Sequence, residues 1–271
     1  MPSASDVTLT AIQPRFLYDT ALFDGATLTA SSEKSTLPGS NLQNDIVRRP
    51  WRTDDADSTK NVVYDIGSAV AVNAVGIFGF NLTSVALLTI QAHTADSWGS
   101  PSLNVGMTIP TDSDGTLFEK AITFFEQGTE SYQYWRILIH GDMSQPYWEL
   151  GRLVAGQYFE PSVPPDLRAT RTEIDPSIIT RTDGQQSYSR ARQLYRQYII
   201  ESNNYAQGDR DDWLALFKNR GQRLPMMCAF DPTHAHRFNR HTICGRMTNS
   251  LNESLVQMEY GTIDMAFQEQ W

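Results

Sequence analysis

From Tyr134 to Gly156 the chain reads YWRILIHGDMSQPYWELGRLVAG, and two runs within it keep a period of two. Trp135, Ile137 and Ile139 alternate with Arg136, Leu138 and His140, and after Gln145-Pro146 the alternation resumes from Trp148 to Val154. A two-residue repeat is the mark of a strand with one face on a core, so the stretch predicts a strand, a turn and a second strand. This hairpin is expected to close the first half of the protein, with Arg136 and Glu149 as framework polar residues.

Upstream, short strands are separated by turn-rich loops. The run Ala30 to Asp45 is polar and turn-rich, Pro50-Trp51-Arg52-Thr53 precedes an acidic loop from Asp54 to Lys60, and Val62 to Ile66 forms a strand that Gly67 stops. Val70 to Phe80 is apolar at both alternating sets, which predicts a strand covered on both faces or one whose glycines let another backbone approach. Further strands are expected at Ala86 to Ala92 and Thr116 to Phe125. Short strands, frequent turns and no helical period indicate an all-β sandwich.

At 271 residues the chain has room for two domains. No apolar run approaches the roughly 20 residues of a membrane span. The net charge of −9 argues against a nucleic-acid surface, whose affinity comes from neutralising phosphates. With only Cys228 and Cys244 there is no disulfide framework, and the start MPSASDVTLT lacks the pattern of a signal peptide, so synthesis in a reducing cytoplasm is expected.

The residues from Ser31 to Asp45, then Trp51, Val63-Tyr64-Asp65-Ile66-Gly67, Val72 to Ile77, Tyr134-Trp135-Arg136-Ile137 and Glu149-Leu150-Gly151-Arg152-Leu153 resemble the discoidin, or coagulation-factor C-type, jelly roll over about residues 25 to 160. That resemblance implies a galactose-binding-like β-sandwich. This sequence lacks the cysteines that bracket the family's domain, and its ligand loops match poorly.

Three prolines in Glu160 to Leu167 stiffen the chain and mark a domain boundary, giving a sandwich over 1–160 and a second β domain over 161–271. In the second half, Asp183-Gly184 signals a turn and Tyr188 to Glu201 a long strand. A helix is expected over 209–220, with Asp209 as N-cap, Asp211 and Asp212 in its first turn, Gly221 after its end, and Trp213, Leu216 and Phe217 on one face. Pro225 to Phe230 and Ile243 to Met247 read as strands. In the last strand, Leu255 to Phe267, the apolar phase slips near Gly261, which predicts a bulge.

This second half resembles the ring-forming domain of phage distal tail and tail-hub proteins, which is related to the tail-tube fold; Tyr188 to Ile200, the helix, Leu224-Pro225-Met226-Met227 and Ile263 to Glu269 carry the likeness. The fold class expected is thus mainly β: a jelly-roll sandwich plus a tail-tube-like sheet or barrel with one helix. The two resemblances together imply a structural virion protein of a phage tail tip, assembled in the host cytoplasm into a homo-oligomeric ring, with tail-tube and tip proteins as partners and a sandwich free for docking or for host-surface glycan. The alternative is a monomeric carbohydrate-binding protein.

Arginines crowd the segment from Arg168 to Arg196, and Arg190, Arg192, Arg196 and Tyr195 are the candidates for subunit contact. Trp98, Trp51 and Tyr147 are the candidates for stacking on sugar; Trp51 and Trp135 fit core positions, and Trp98 an exposed loop. Cys228, His234, His236, His241 and Cys244 lack the spacing of a zinc finger, and Asp54, Asp55 and Asp57 lack that of a calcium loop, so no metal or cofactor is expected. No GxSxG, HExxH or phosphate-cradling loop occurs, and the chain is not expected to be an enzyme.

Overall fold

The computed structural model describes residues 7–10, 13–107, 109, 121–125, 131–142, 145–162, 168–181, 186–232, 240–249, 252–255 and 260–270. The architecture is mainly β, built from antiparallel sheets with only short helical segments. A five-stranded sheet runs in the order Thr27–Ala30, Lys60–Ala71, Ser131–His140, Leu87–His93, Leu103–Met107. Facing it is a three-stranded sheet in the order Arg152–Gly156, Ala74–Phe78, Ala121–Phe125. Between them lies one apolar core that includes Trp51, Tyr64, Ile77, Ile90, Trp135, Ile137 and Leu153.

The two runs of the Tyr134–Gly156 stretch do not pair with each other as the expected hairpin. Ser131–His140 is the middle strand of the five-stranded sheet, while Arg152–Gly156 is an outer strand of the opposing sheet. Between them Glu149–Leu150 pairs with Trp51–Arg52. The alternation marked two strands with one face inward, but a sandwich lets successive strands take opposite sheets.

A third sheet, eight-stranded, is assembled mostly from residue 168 onward. Its two outer members come from the other end of the chain: Val7–Thr10 pairs with Arg168–Ile174, and Arg15–Leu17 pairs with Met226–Ala229. Residues 7–10 and 15–17, expected in the sandwich, thus pair with this sheet instead. Phe16 and Phe159 exchange backbone hydrogen bonds of 2.9 and 2.8 Å, so the chain leaves and re-enters this second domain at one point. Residues 163–167 of the proline-rich linker lie outside the described set.

Three further expectations change. Tyr188 to Glu201 is not one strand: Ser187–Arg190 pairs with Ile178–Arg181 as a separate two-stranded arm, and the long strand is Tyr195–Ala206. The phase slip near Gly261 is a chain reversal, because Asn252–Leu255 pairs antiparallel with Tyr260–Glu269, Leu255 lying opposite Gly261. An irregularity does occur there, but on the partner strand between Ser202 and Tyr205. Val256 and Met258 lie outside the described residues. The helix is Arg210–Asn219, preceded by a 3-10 turn at Gln207–Asp209, and Gly221 follows it at φ +49°, a left-handed conformation that glycine adopts without steric cost. Asp209 is the N-cap residue as expected, but its side chain makes no capping hydrogen bond; its carboxylate accepts hydrogen bonds from the backbone and hydroxyl of Ser162.

The three-stranded sheet is buried on both faces, and this explains the doubly apolar run at 70–80. Val75, Ile77, Ile122, Leu153 and Ala155 point into the sandwich core. Ala74, Phe78, Ala121 and Val154 instead pack with Leu17, Met227 and Cys244 of the eight-stranded sheet. Gly76 sits where a Cβ would lie 2.5 Å from Met227 Sδ, so the missing side chain makes room for the methionine. At Gly151 a Cβ would lie 2.4 Å from the Val47 carbonyl oxygen and 3.0 Å from that of Phe78.

Gly151→Ala should therefore cost about 1–3 kcal/mol through overpacking against backbone that cannot yield. Gly106→Ala, with open space around its Cβ, should change stability by less than about 0.5 kcal/mol. Urea midpoints measure both; equal midpoints would contradict the close approach at Gly151.

Candidate functional site

On the outer face of the five-stranded sheet, polar and aromatic side chains replace the usual scatter of surface residues. Strand alternation selects them. Trp135, Ile137 and Ile139 point inward, so Tyr134 and Arg136 point outward, and a register irregularity between Tyr132 and Tyr134 brings Gln133 to the same side. Arg136 lies opposite Gln91, and Gln91 lies opposite Asn104. Arg136 Nε donates to Gln91 Oε1 at 2.7 Å, and Gln91 Nε2 donates to Asn104 Oδ1 at 3.0 Å.

The loop after Leu87–His93 folds back over this row. The Arg136 guanidinium stands 4.4 Å from the centroid of Trp98, and the Trp98 indole N–H donates to Asp96 Oδ1 at 2.7 Å. The half-buried ring is thus fixed at its face by a cation and at its edge by a carboxylate. Alongside, Gln133 Nε2 donates to Asp65 Oδ1 at 2.9 Å and reaches the Tyr134 hydroxyl at 3.2 Å. The hydrogen bonds from Gln133 and from the Gly67 backbone hold the Asp65 carboxyl below the usual carboxylate range. Desolvation, followed by the charges of Asp65 and Asp96, raises the Tyr134 hydroxyl. The platform therefore offers an aromatic ring, a guanidinium, two carboxylates, three side-chain amides and a phenol in fixed positions.

Of the aromatic residues singled out from the sequence, Trp98 stands on this platform. Trp51 is excluded from any contact with ligand: it is fully buried in the sandwich core, its indole N–H donating to the Ser32 carbonyl at 2.9 Å. Tyr147 is half-buried elsewhere, with the Arg52 guanidinium 4.0 Å from its ring centroid and Arg52 ion-paired to Glu149 at 2.5 Å. Gln91, Asp96, Asn104, Gln133 and Tyr134 were not singled out from the sequence. For all but Asp96, which lies in a loop, the signal is the polar phase of strands whose other phase is apolar, but which strands lie side by side is a non-local fact.

Among the candidates for subunit contact, Arg196 is corrected. It is buried, ion-paired with buried Glu269 and donating to the Arg240 carbonyl at 2.8 Å, so it holds one domain together. Tyr195 is half-buried at the start of the long strand, whereas Arg190 and Arg192 are exposed on and beside the two-stranded arm.

Cys228 and Cys244 are buried free thiols, with burial raising both above the ordinary thiol range, that of Cys244 to about 12. His234 and His236 lie outside the described residues. His241 is buried beside the Tyr198 hydroxyl, 3.2 Å from its Nδ1. Among the described residues, no three His, Cys, Asp or Glu side chains gather as a metal site, and no helix is long and apolar enough to cross a membrane.

No protein-family model and no curated protein matches the chain. Solved structures do. A Ruminococcus gnavus GH29 fucosidase in complex with fucose matches at 13% identity and TM-score 0.41 over 50% of this chain, which spans only 26% of that enzyme. A chitosan-binding module of a chitosanase/glucanase from Paenibacillus sp. IK-5 matches at 21% identity and TM-score 0.38, over 50% of this chain and 98% of the module. A Streptococcus pneumoniae fucose-binding module matches at 10% identity and TM-score 0.41, over 51% of this chain and 98% of the module.

His241 gives a pH signature. Burial, then the nearby charges of Arg171, Arg240 and Arg196, lower its pKa from 6.5 to about 4, with Asp231 opposing. Because the folded value is the lower one, the unfolded chain takes up the proton first as pH falls. The stability contributed by neutral His241 is fully present above pH 6.5 and is lost as the pH falls toward about 4. Urea midpoints across that window should fall with a limiting slope of about 1.4 kcal/mol per pH unit from this residue, and His241→Gln should flatten the slope. An unchanged slope in the variant would contradict a neutral buried imidazole.

Proposed function

We propose that this chain is a non-catalytic adhesion and assembly protein, a structural component of a phage tail tip in the virion, whose sandwich contacts glycan and whose second β domain holds that sandwich in a larger homo-oligomer. The observation that carries the glycan part is the Trp98 platform. A sugar has a flat C–H face and a rim of hydroxyls; a partly exposed indole suits the first, and fixed carboxylate, amide and guanidinium groups suit the second. Preformed geometry favours binding, because the side chains lose little freedom when the ligand arrives.

The assembly part rests on the second domain. It carries the likeness to ring-forming tail proteins set out from the sequence, and its two-stranded arm Ile178–Arg181 and Ser187–Arg190 forms a sheet separate from its main one. The buried junction between the three-stranded and eight-stranded sheets supports a sandwich displayed at a fixed angle. The second reading, a monomeric carbohydrate-binding protein, shares the platform and lacks the oligomer; sedimentation of the purified chain separates the two.

Glycan-array binding followed by titration of the strongest sugar tests the platform. Trp98→Ala should weaken binding tenfold or more, about 1.4 kcal/mol, while leaving the urea midpoint within about 0.5 kcal/mol. Tyr147→Ala should leave affinity unchanged. Wild-type protein that binds no glycan, or Trp98→Ala that binds as well as wild type, would overturn the glycan reading.

A further inference from the structure

The arm is unusual for an exposed hairpin. Ile179 is 68% exposed, Tyr188 60% and Ile178 46% on strands that pack on no core cluster, with Ile178 and Tyr188 on one face and Ile179 on the other, and Leu194 just beyond the arm is 53% exposed. Arg190 and Arg192 flank it, both exposed. The segment from Arg168 to Arg196 holds six arginines against Glu173, Asp175 and Asp183, on a chain whose net charge is −9. Arg171 and Arg196 are tied to Glu173 and Glu269, whereas Arg190 and Arg192 on and beside the arm face solvent, as does Arg168. Exposed apolar surface ringed by charge is the composition of an interface rather than of a solvated tip.

A surface of opposite character lies where the chain leaves and re-enters the second domain. A cleft of about 480 Å³ is walled by Tyr18, Tyr158 and Phe159 and edged by Asp19, Glu160 and Asp212. Its wall already accommodates a guanidinium: Arg15 stands 4.6 Å from the Tyr158 ring centroid and 4.8 Å from that of Phe125, ion-paired to Glu160 at 2.5 Å. That leaves Asp19 and Asp212 as the unneutralised rim. Burial and then the charges of Asp212 and Asp19 raise the Tyr18 hydroxyl, which marks a negative field there. Arg220 lies beneath, donating to the Tyr18 carbonyl and the Thr20 hydroxyl.

We propose that the arm of one copy docks in this cleft of a second copy, Tyr188 and Ile178, which share one face of the arm, entering against the aromatic wall and Arg190 and Arg192 pairing with Asp19 and Asp212. Arm and cleft are different surfaces, so the contact is head-to-tail and generates a ring or an open chain of copies. It names the surfaces for the oligomer of the proposed function and rests on that reading.

Sedimentation velocity of the full chain over a concentration series tests the contact. Wild type should associate, and more weakly as salt rises from about 0.1 to 1 M, where the screening length falls from about 10 to 3 Å. Arg190→Ser with Arg192→Ser, and separately Asp19→Asn with Asp212→Asn, should each weaken association at least tenfold without moving the urea midpoint. Mixed together, the two variants should form a 1:1 dimer that grows no further, since one intact arm meets one intact cleft. Variants that associate as wild type does, or a mixture that stays monomeric, overturn this contact and leave the assembly reading standing. Monomeric wild type that still binds glycan through Trp98 overturns the contact and moves the functional reading to the monomeric alternative.

Discussion

The structure turns on one layer, the three-stranded sheet of Arg152–Gly156, Ala74–Phe78 and Ala121–Phe125, which has no solvent face. One side closes the sandwich core and the other meets Leu17, Met227 and Cys244. Two glycines make this possible, Gly76 by admitting Met227 and Gly151 by admitting the Val47 backbone. Arg152 anchors the layer's edge: buried, it donates to the Leu42 carbonyl at 3.0 Å and pairs with Asp24 at 2.7 Å and Asp45 at 3.3 Å. Removing both Asp24 and Asp45 would leave the buried guanidinium uncompensated, the kind of loss that costs about 3–5 kcal/mol, whereas removing one leaves the other in place.

The second core explains how the sandwich is held at its other end. Phe16, from the start of the chain, stacks on Phe267 with centroids 5.6 Å apart and meets Trp213 edge-on at 5.3 Å. Phe159 meets the same Trp213 at 4.9 Å. Both connections to the sandwich are therefore tied into one aromatic cluster, and the sandwich stands as an insertion in the second domain. Buried contacts of this kind limit the relative motion that small polar interfaces between domains allow. A platform on the far sheet of the sandwich is then carried in a set direction relative to the eight-stranded sheet.

Local pattern made the strands legible, and it made the helix legible through Trp213, Leu216 and the left-handed Gly221. It also announced the double burial of Ala74–Phe78, since an apolar run without alternation has few other solutions. Pairing was not legible. Nothing between Tyr134 and Gly156 states that its two strands take opposite sheets, and nothing in VTLT or RFL states that these strands join residues some 160 to 210 positions away. Arg196 was legible in a way that clustering arginines by number obscures: it shares a phase with Tyr198 and Ile200, both fully buried, whereas Arg190 and Arg192 precede that strand. The platform was legible only at Trp98, because its partner Arg136 comes from another strand of the sheet and the contact exists only once the sheet is assembled.

The account requires that the sandwich and the second domain behave as one folded unit. Native-state hydrogen exchange at Ala74–Phe78 and at Met226–Ala229 measures this most directly. If the shared layer joins them, amides in both strands should exchange only through the same global opening, with equal opening free energies and equal denaturant dependence. Exchange of one strand through a separate, lower-energy opening while the other stays protected would show two independent domains and contradict the account.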